Sequence, residues 1–262
     1  MTSRILLPPD HPWQVHCYDC LESTNTTAKE MAANGASHGT VLIADRQTGG
    51  RGRLGRTFLS PAGMGIYMSV ILKTDCPPER LMHLTCAAAV AMCDAVEASA
   101  GFRPNIKWIN DLVWGKRKLA GILTELVLSP DSKTARYAIV GIGINCLQQE
   151  KDLDREIRDM ACSVDMAAGR EIPRHILAKN MILSLERMAN RLFSEKESIM
   201  AQYRKNCITL GKDVLIHRGD EIRQGHALDV DDNGGLLVRF CDGETKIVNS
   251  GEVSVRGMYG YN

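Results

Sequence analysis

The sequence predicts an α+β protein: a mixed, largely antiparallel sheet packed with helices, followed by a small β-barrel. Three observations carry this. Between residues 40 and 144, short apolar runs separated by turn residues read as strands and hairpins. Residues 79–100 and 173–206 instead place apolar side chains at helical spacing. From residue 207 the runs shorten and glycines punctuate them, the pattern of a small closed sheet.

The elements follow in order. Residues 24–34 form a short helix, with Ser23 or Thr24 able to cap its start and Gly35 just past its end. A compact strand at 40–44 leads into a glycine- and arginine-rich loop at 47–56, and 65–73 is a strand with Ile66, Met68, Val70 and Leu72 on alternate positions. After Pro77 and Pro78, Leu81, Leu84, Ala88 and Met92 mark a helix that Gly101 ends. Strands are expected at 106–114, 119–128 and 137–144, with turns at 115–117 and 129–132. Residues 148–159 are a charged loop or short helix, and Pro173 opens one long helix striped by Leu185, Met188 and Leu192. Strands at 214–216, 221–230, 235–240, 245–248 and 253–256 complete the chain. The expected domains are therefore 1–206 and 207–262.

Thirty-two basic residues against 31 acidic ones leave a net charge of +1, so an anion site must be local and neither nucleic acid nor a membrane is an expected partner. The N-terminus lacks a signal-peptide core, and no uninterrupted apolar run approaches the roughly eighteen residues of a membrane span; a cytoplasmic location is expected. Nine scattered cysteines fit reduced, mostly buried thiols. Cys17 and Cys20 are the one close pair, without the second pair or spaced histidines that a zinc site needs.

Three constellations could carry chemistry. Gly49-Gly50-Arg51-Gly52-Arg53-Leu54-Gly55-Arg56 puts three guanidinium groups on a backbone that can approach a ligand closely. It is neither a Walker A loop nor a dinucleotide fingerprint; the readings are an anion-binding loop, mobile while empty, or a solvated basic segment. Lys107, Asn110, Asp111 and Lys118 flank a hairpin, where lysine can neutralise developing charge and Asp111 can meet Mg²⁺ riding on nucleotide phosphates. Their alternative is an edge hairpin with surface charges. Gly141-Ile142-Gly143 within a strand reads as a flat ligand floor or as a bulge against a helix.

Taken together and in order, these segments resemble the catalytic domain of biotin protein ligases. The resemblance rests on Glu22-Ser23-Thr24-Asn25, on Gln47 with 50–56, on 107–111 and 117–123, and on Gly141-Ile142-Gly143-Ile144-Asn145; it covers about residues 17–145. The tail 250–256 is similar, more weakly, to the family's C-terminal SH3-like domain. The resemblance implies a catalytic domain related to class II aminoacyl-tRNA synthetases. It implies that biotin is adenylated with Mg-ATP and then passed to a lysine of a biotin carboxyl carrier protein, with no tightly bound prosthetic group.

The resemblance also assigns roles. Ser23, Thr24, Asn25, Gln47, Gly50, Arg51, Arg53, Lys118, Gly121 and Gly141 would surround biotin. Arg53, Arg56, Phe58, Lys107, Asn110, Asp111, Asn145 and Arg256 would meet ATP, and Arg53, Lys118 and Asp111 would be catalytic. Asp111 is the one metal-side candidate, through the nucleotide. Two departures stand out: Ile109 where the family often has proline, and Phe58 where tryptophan can occur. Only about sixteen residues precede the matching region, too few for the family's optional DNA-binding unit, so a ligase without repressor activity is expected. A homodimer is compatible with the sequence, which does not fix the oligomeric state. The rival readings are a lipoate or octanoate ligase of the same superfamily, a nucleic-acid binder using the arginine–glycine loop, and an inactive biotin sensor.

Overall fold

Seven strands hydrogen-bond in the order β1-β2-β3-β7-β6-β5-β4 in the computed structural model, which describes residues 7, 8, 10–153, 155–249 and the backbone of 254–257. They are β1 Gln14–Leu21, β2 Thr40–Gln47, β3 Gly65–Cys76, β4 Asn105–Lys107, β5 Asp111–Trp114, β6 Arg117–Leu128 and β7 Ala135–Asn145. Only β1 and β2 run parallel; every other neighbouring pair is antiparallel. The central strands β3 and β7 are buried almost throughout, which explains their near-continuous apolar sequence.

Helices cover both faces. On one side, α1 Thr24–Ala33 sets Ala28 and Ala32 against Leu42, Ile71, Tyr137 and Ile139. On the other, α2 Leu84–Ala100 is walled in by α4 Arg174–Arg191 and α5 Lys196–Asn206, and its alanines allow close approach. Pro78–Ala100 is long and apolar enough to cross a membrane by length and composition, but 72% of that window is buried, as in a core helix.

Several expectations need correction. The stretch from 79 to 100 is not one helix: a 3₁₀ turn, Pro78–Leu81, precedes α2. The long helix expected from 173 to 206 breaks between α4 and α5. There the Leu192 carbonyl, which an unbroken helix would give to the amide of Lys196, instead accepts from His83 Nε2 at 2.9 Å. The strand expected at 106–114 is two strands, β4 and β5, joined by a turn at 108–110 whose Trp108–Ile109 peptide is cis. Ser23 does occupy the N-cap position of α1, but its side chain makes no capping bond. A short helix, α3 Val164–Ala168, capped by Ser163, was not anticipated. Cys17, Cys20 and Cys241 are exposed and the other six cysteines buried, all of them free.

The C-terminal strands β8 Asp213–Arg218, β9 Glu221–Val230, β10 Leu236–Phe240, β11 Thr245–Val248 and β12 Ser254–Gly257 form an antiparallel sheet in the order β11-β10-β9-β8-β12. Of the strand expected at 253–256, Val253 lies outside the described residues. Val214, Ala227, Val230 and Leu236 join the same apolar cluster as the large sheet, so one core serves both.

Arg174 ties α4 to the sheet. Its guanidinium reaches Asp45 Oδ1 at 3.1 Å and the Gly65 carbonyl, while Asp45 Oδ2 accepts from Gly63 N at 3.0 Å. The two side chains are 11% and 17% exposed, so losing one partner strands a largely buried charge. Arg174→Ala is expected to destabilise the protein by about 3 kcal/mol, seen as a lower urea midpoint at unchanged slope.

Candidate active site

Three glycines in β6 and β7 make the floor of a cleft. Gly121 faces Gly143 across the ladder, and Gly141 lies between Leu123 of β6 and Ser69 of β3. Each seats a side chain from a different element. A Cβ on Gly141 would overlap the Asn25 amide from α1, and one on Gly143 the Phe58 ring from the arginine–glycine loop. One on Gly121 would lie 3.1 Å from Lys118 Nζ and 3.5 Å from Phe58 Cε2. Of the two readings of the glycine strand, packing against a helix describes Gly141, which meets Asn25 of α1, and all three glycines line the cleft.

One end of the cleft is neutral and tightly hydrogen-bonded. Gln47 Oε1 accepts from Thr24 N at 2.8 Å and Thr24 Oγ1 at 3.1 Å, and Gln47 Nε2 donates to Ser60 Oγ at 2.9 Å. Ser69, fully buried, sits 2.8 Å from Thr24 Oγ1 and 2.6 Å from Asn25 Oδ1. Two hydroxyl protons thus serve three contacts. What Thr24 has left for a ligand is an acceptor lone pair, whereas Gln47 keeps one N–H to donate. Asn25 Nδ2 gives its hydrogens to the Leu123 carbonyl at 3.2 Å and to Glu125 Oε2 at 2.8 Å, and Lys29 holds the other Glu125 oxygen at 2.8 Å. The Asn25 amide is therefore consumed by the protein, which suits positioning better than ligand contact.

The cleft is also cationic, with Arg51 reaching back toward Glu22 beside Ser23. Arg51, Arg53, Arg56, Lys107 and Lys118 line the cleft, and Asp111 is the one carboxylate among its described lining residues. The loop carrying the arginines is ordered as a small excursion: Phe58 N donates to the Gly50 carbonyl, Gly52 N to that of Arg56, and Arg56 N to that of Arg53. Leu54 and Gly55 adopt φ of 55° and 73° at its tip. Arg53 Nη1 donates to Asn110 Oδ1 at 3.1 Å, docking the loop on the turn between β4 and β5. Asn110 is itself fixed, donating from Nδ2 to the Ile122 carbonyl at 2.9 Å. Lys118 Nζ pairs with Asp111 Oδ1 at 2.6 Å. Burial pulls the Arg53 guanidinium below its ordinary range, an effect that Asp111 opposes.

Ser23, Thr24, Asn25, Gln47, Arg51, Arg53, Arg56, Phe58, Lys107, Asn110, Asp111, Lys118, Gly121 and Gly141 all line this one cleft. Three expected residues do not fall on its described wall. Gly50 lies behind it, where a Cβ would strike the Phe58 carbonyl and approach Ser60 Oγ. Asn145, at the end of β7, donates to the Cys162 carbonyl at 3.2 Å and accepts from Gln148 at 3.3 Å. Arg256 has its backbone on β12 opposite Leu215, and its side chain lies outside the described residues. Among the described residues no group of three His, Cys, Asp or Glu side chains could hold a metal. Sequence reasoning missed Ser69, Lys29 and Glu125; the available signal was Ser69 within the apolar stretch 66–72 of β3 and Glu125 between Leu123 and Leu126 of β6.

Comparison with known proteins adds a second line. Residues 17–145 match the biotin/lipoate A/B protein ligase family and residues 209–256 the biotin protein ligase C-terminal domain. The bifunctional ligase/repressor BirA of Bacillus subtilis is 37% identical over 89% of this chain and 71% of that protein. The chain belongs to the biotin protein ligase family. The biotin–[acetyl-CoA-carboxylase] ligase of Mycobacterium tuberculosis is 32% identical over 88% of this chain and 85% of that enzyme. In structure the chain is similar to the biotin protein ligase of Aquifex aeolicus in complex with biotin and ATP. That likeness has a TM-score of 0.78, with 29% identity over 93% of this chain and 99% of that one.

Glu125 gives the neutral end a pH signature. Burial raises its pKa, but the hydrogen bonds from Lys29 and Asn25 and the Lys29 charge outweigh burial and hold it below the usual glutamate range. A carboxyl depressed in the folded state stabilises that state above its unfolded pKa and loses the contribution as pH falls through the folded value. Glu125→Gln is therefore expected to lower Tm at pH 7 and to converge on wild type as pH falls below the usual glutamate range and through the depressed folded value. A Tm gap that ignores pH would contradict this account.

Proposed function

We propose that this chain is an ATP-dependent biotin protein ligase that forms biotinyl-5′-AMP, releases pyrophosphate and then biotinylates a lysine of a carrier protein. The observation that carries this is one cleft that joins the Thr24–Gln47–Ser60–Ser69 hydrogen-bond network to five cations and, among its described lining residues, a single carboxylate. The neutral end offers a donor at Gln47 and an acceptor at Thr24. A ureido ring needs both, because its carbonyl accepts and its N–H groups donate. The dithiolane of lipoate needs neither, so the lipoate alternative is disfavoured.

In the first step a carboxylate oxygen of biotin attacks the α-phosphorus of ATP, a P–O bond forms, and the bond to pyrophosphate breaks. Anions must meet for this to happen. Arg53 and Lys118 are suited to neutralise the carboxylate and the α-phosphate, with Arg51 on the biotin side and Arg56, Phe58, Lys107, Asn110 and Asp111 on the nucleotide side. Asn145 and Arg256 remain candidates for the nucleotide periphery. Mg²⁺ fits as an ion carried by the phosphates, since Asp111 is already paired with Lys118 and the described residues hold no three-ligand group. There it would screen the phosphate charges. The 49–58 loop, with glycines beside its arginines, can close over the mixed anhydride and exclude water.

In the second step the carrier's lysine amine attacks the acyl carbon, an amide forms and AMP leaves; no enzyme nucleophile is needed. The acceptor is expected to be a biotin carboxyl carrier domain of an acetyl-CoA carboxylase, the setting cytoplasmic, and a homodimer is compatible with the chain. Residues 1–206 would carry the chemistry and 207–262 a smaller supporting domain.

Arg53→Ala and Lys118→Ala are each expected to slow pyrophosphate release by roughly 10²–10³-fold. Wild-type rates in both would remove the assigned roles. Calorimetry should show tight binding of biotin and none of lipoate. Incubation of a carrier domain with biotin, Mg-ATP and this protein should add one biotin mass to one lysine.

A further inference from the structure

The turn at 108–110 is held from outside the cleft, and it is held by polar groups that come from far along the chain. Trp108 N donates to Thr209 Oγ1 at 2.9 Å, and Trp108 Nε1 donates to the Gly234 carbonyl at 2.9 Å. Tyr203 OH donates to the Ile109 carbonyl at 3.2 Å, and Ile208 N donates to the Ile106 carbonyl at 2.9 Å. Thr209 and Tyr203 are buried, Tyr203 completely. Backbone groups of a turn ordinarily face water. Here the Trp108 amide and the Ile109 carbonyl are met by buried side chains about a hundred residues away in sequence, Thr209 and Tyr203.

The Gly234 end of this support is itself braced. The turn at 231–235 joins β9 to β10, and Asp231 Oδ1 accepts from Asn233 N and Gly235 N, both at 2.8 Å. Gly234 takes φ +88°, and a Cβ there would lie 3.0 Å from Cys86 Sγ and 3.3 Å from Ile109 Cδ1. Two cations of α5 fasten the turn: Arg204 Nε donates to the Val230 carbonyl at 2.6 Å, and Lys196 Nζ donates to Asn233 Oδ1 at 2.8 Å. The segment so held leads directly into the cleft. Asn110 accepts from Arg53, and Asp111 pairs with Lys118.

We infer that Thr209, Tyr203 and the Gly234 carbonyl are positioning groups that set Asn110 and Asp111 for the nucleotide and thereby tune ATP affinity without touching ATP. The inference rests on the reading of the 107–111 segment as the nucleotide side of a biotin ligase. It makes the small C-terminal sheet part of the catalytic machinery through one backbone carbonyl. The hydrogen bonds that hold Thr24, Asn25 and Gln47 come from α1, β2, β3 and β6 and none from this support, so the KM for ATP should respond more than that for biotin.

Steady-state formation of biotinyl-AMP by the full chain tests this. Thr209→Val keeps the shape and removes the acceptor for Trp108 N; it is expected to raise the KM for ATP about tenfold and leave that for biotin within about twofold. Thr209→Ser, which restores the hydroxyl, should return the ATP value to near wild type. Tyr203→Phe, which keeps the ring, should show the same ATP-selective rise and serves if Thr209→Val does not fold. An unchanged KM for ATP, or equal rises for both substrates in folded protein, overturns the inference. Wild-type protein that makes no adenylate would instead overturn the ligase reading on which it depends, so the two failures are told apart by the wild-type control.

Discussion

Glycine at three neighbouring sheet positions, 121, 141 and 143, makes the rest of the site possible. A side chain at 141 or 143 would overlap the start of α1 or the Phe58 ring of the arginine–glycine loop, and one at 121 would crowd the Lys118 ammonium. Glycine inside a strand weakens it, which is tolerable here because β3 and β6 flank β7 on both sides and the surrounding positions are fully buried. The loop and the hairpin can then converge on one ladder, and the cations they carry come within reach of a common ligand.

Convergence of like charges has a cost, and the structure spreads it. Asp111 compensates Lys118, the amide oxygen of Asn110 receives Arg53, and Glu22 lies 3.7 Å from Arg51 in a largely exposed pair. None of these partners matches a phosphate in charge, so a polyanion would be the stronger partner for the set. The neutral end is arranged on the opposite principle. Ser69, Thr24, Gln47 and Ser60 satisfy one another, and Lys29 confines the Glu125 charge at the far side of Asn25. Separating the two ends lets one cleft hold a neutral head group and an anionic tail.

Much of this was legible in the sequence, for reasons that can be named. The loop, the 107–111 segment and the glycine strand stand out because each departs from what a plain strand or loop needs, and the structure gathers them into one cleft. The strand at 221–230 could be bounded from its turns because local chemistry fixes it. The turn at 108–110 could not, since no glycine or Asn-Gly pair marks it and its hydrogen bonds come from Thr209, Tyr203 and Gly234. The break between α4 and α5 was hidden for the same reason: nothing local interrupts the helical pattern, and the Leu192 carbonyl there is met by His83, 109 residues away. Ser69 and Glu125 escaped notice because one or two polar residues between apolar neighbours in a strand have no periodic signature.

These misses share a physical origin. Propensity, periodicity and capping act within a few residues, whereas a buried backbone group must be satisfied by whatever the fold brings near it. Where the chain meets its own needs locally, sequence reading succeeds. Where a functional turn is held by distant polar groups, the sequence shows only an apolar run, and the holding groups look like ordinary core residues. Tyr203 and Thr209 are of this kind: Tyr203 belongs to the apolar cluster itself and Thr209 is buried, and each is bonded to the backbone beside Asn110. The single core beneath the two sheets explains why such bonds can be rigid. A C-terminal sheet that merely tethered itself to the large one could not hold a turn in place, whereas one that contributes Val214, Ala227, Val230 and Leu236 to the same apolar cluster can.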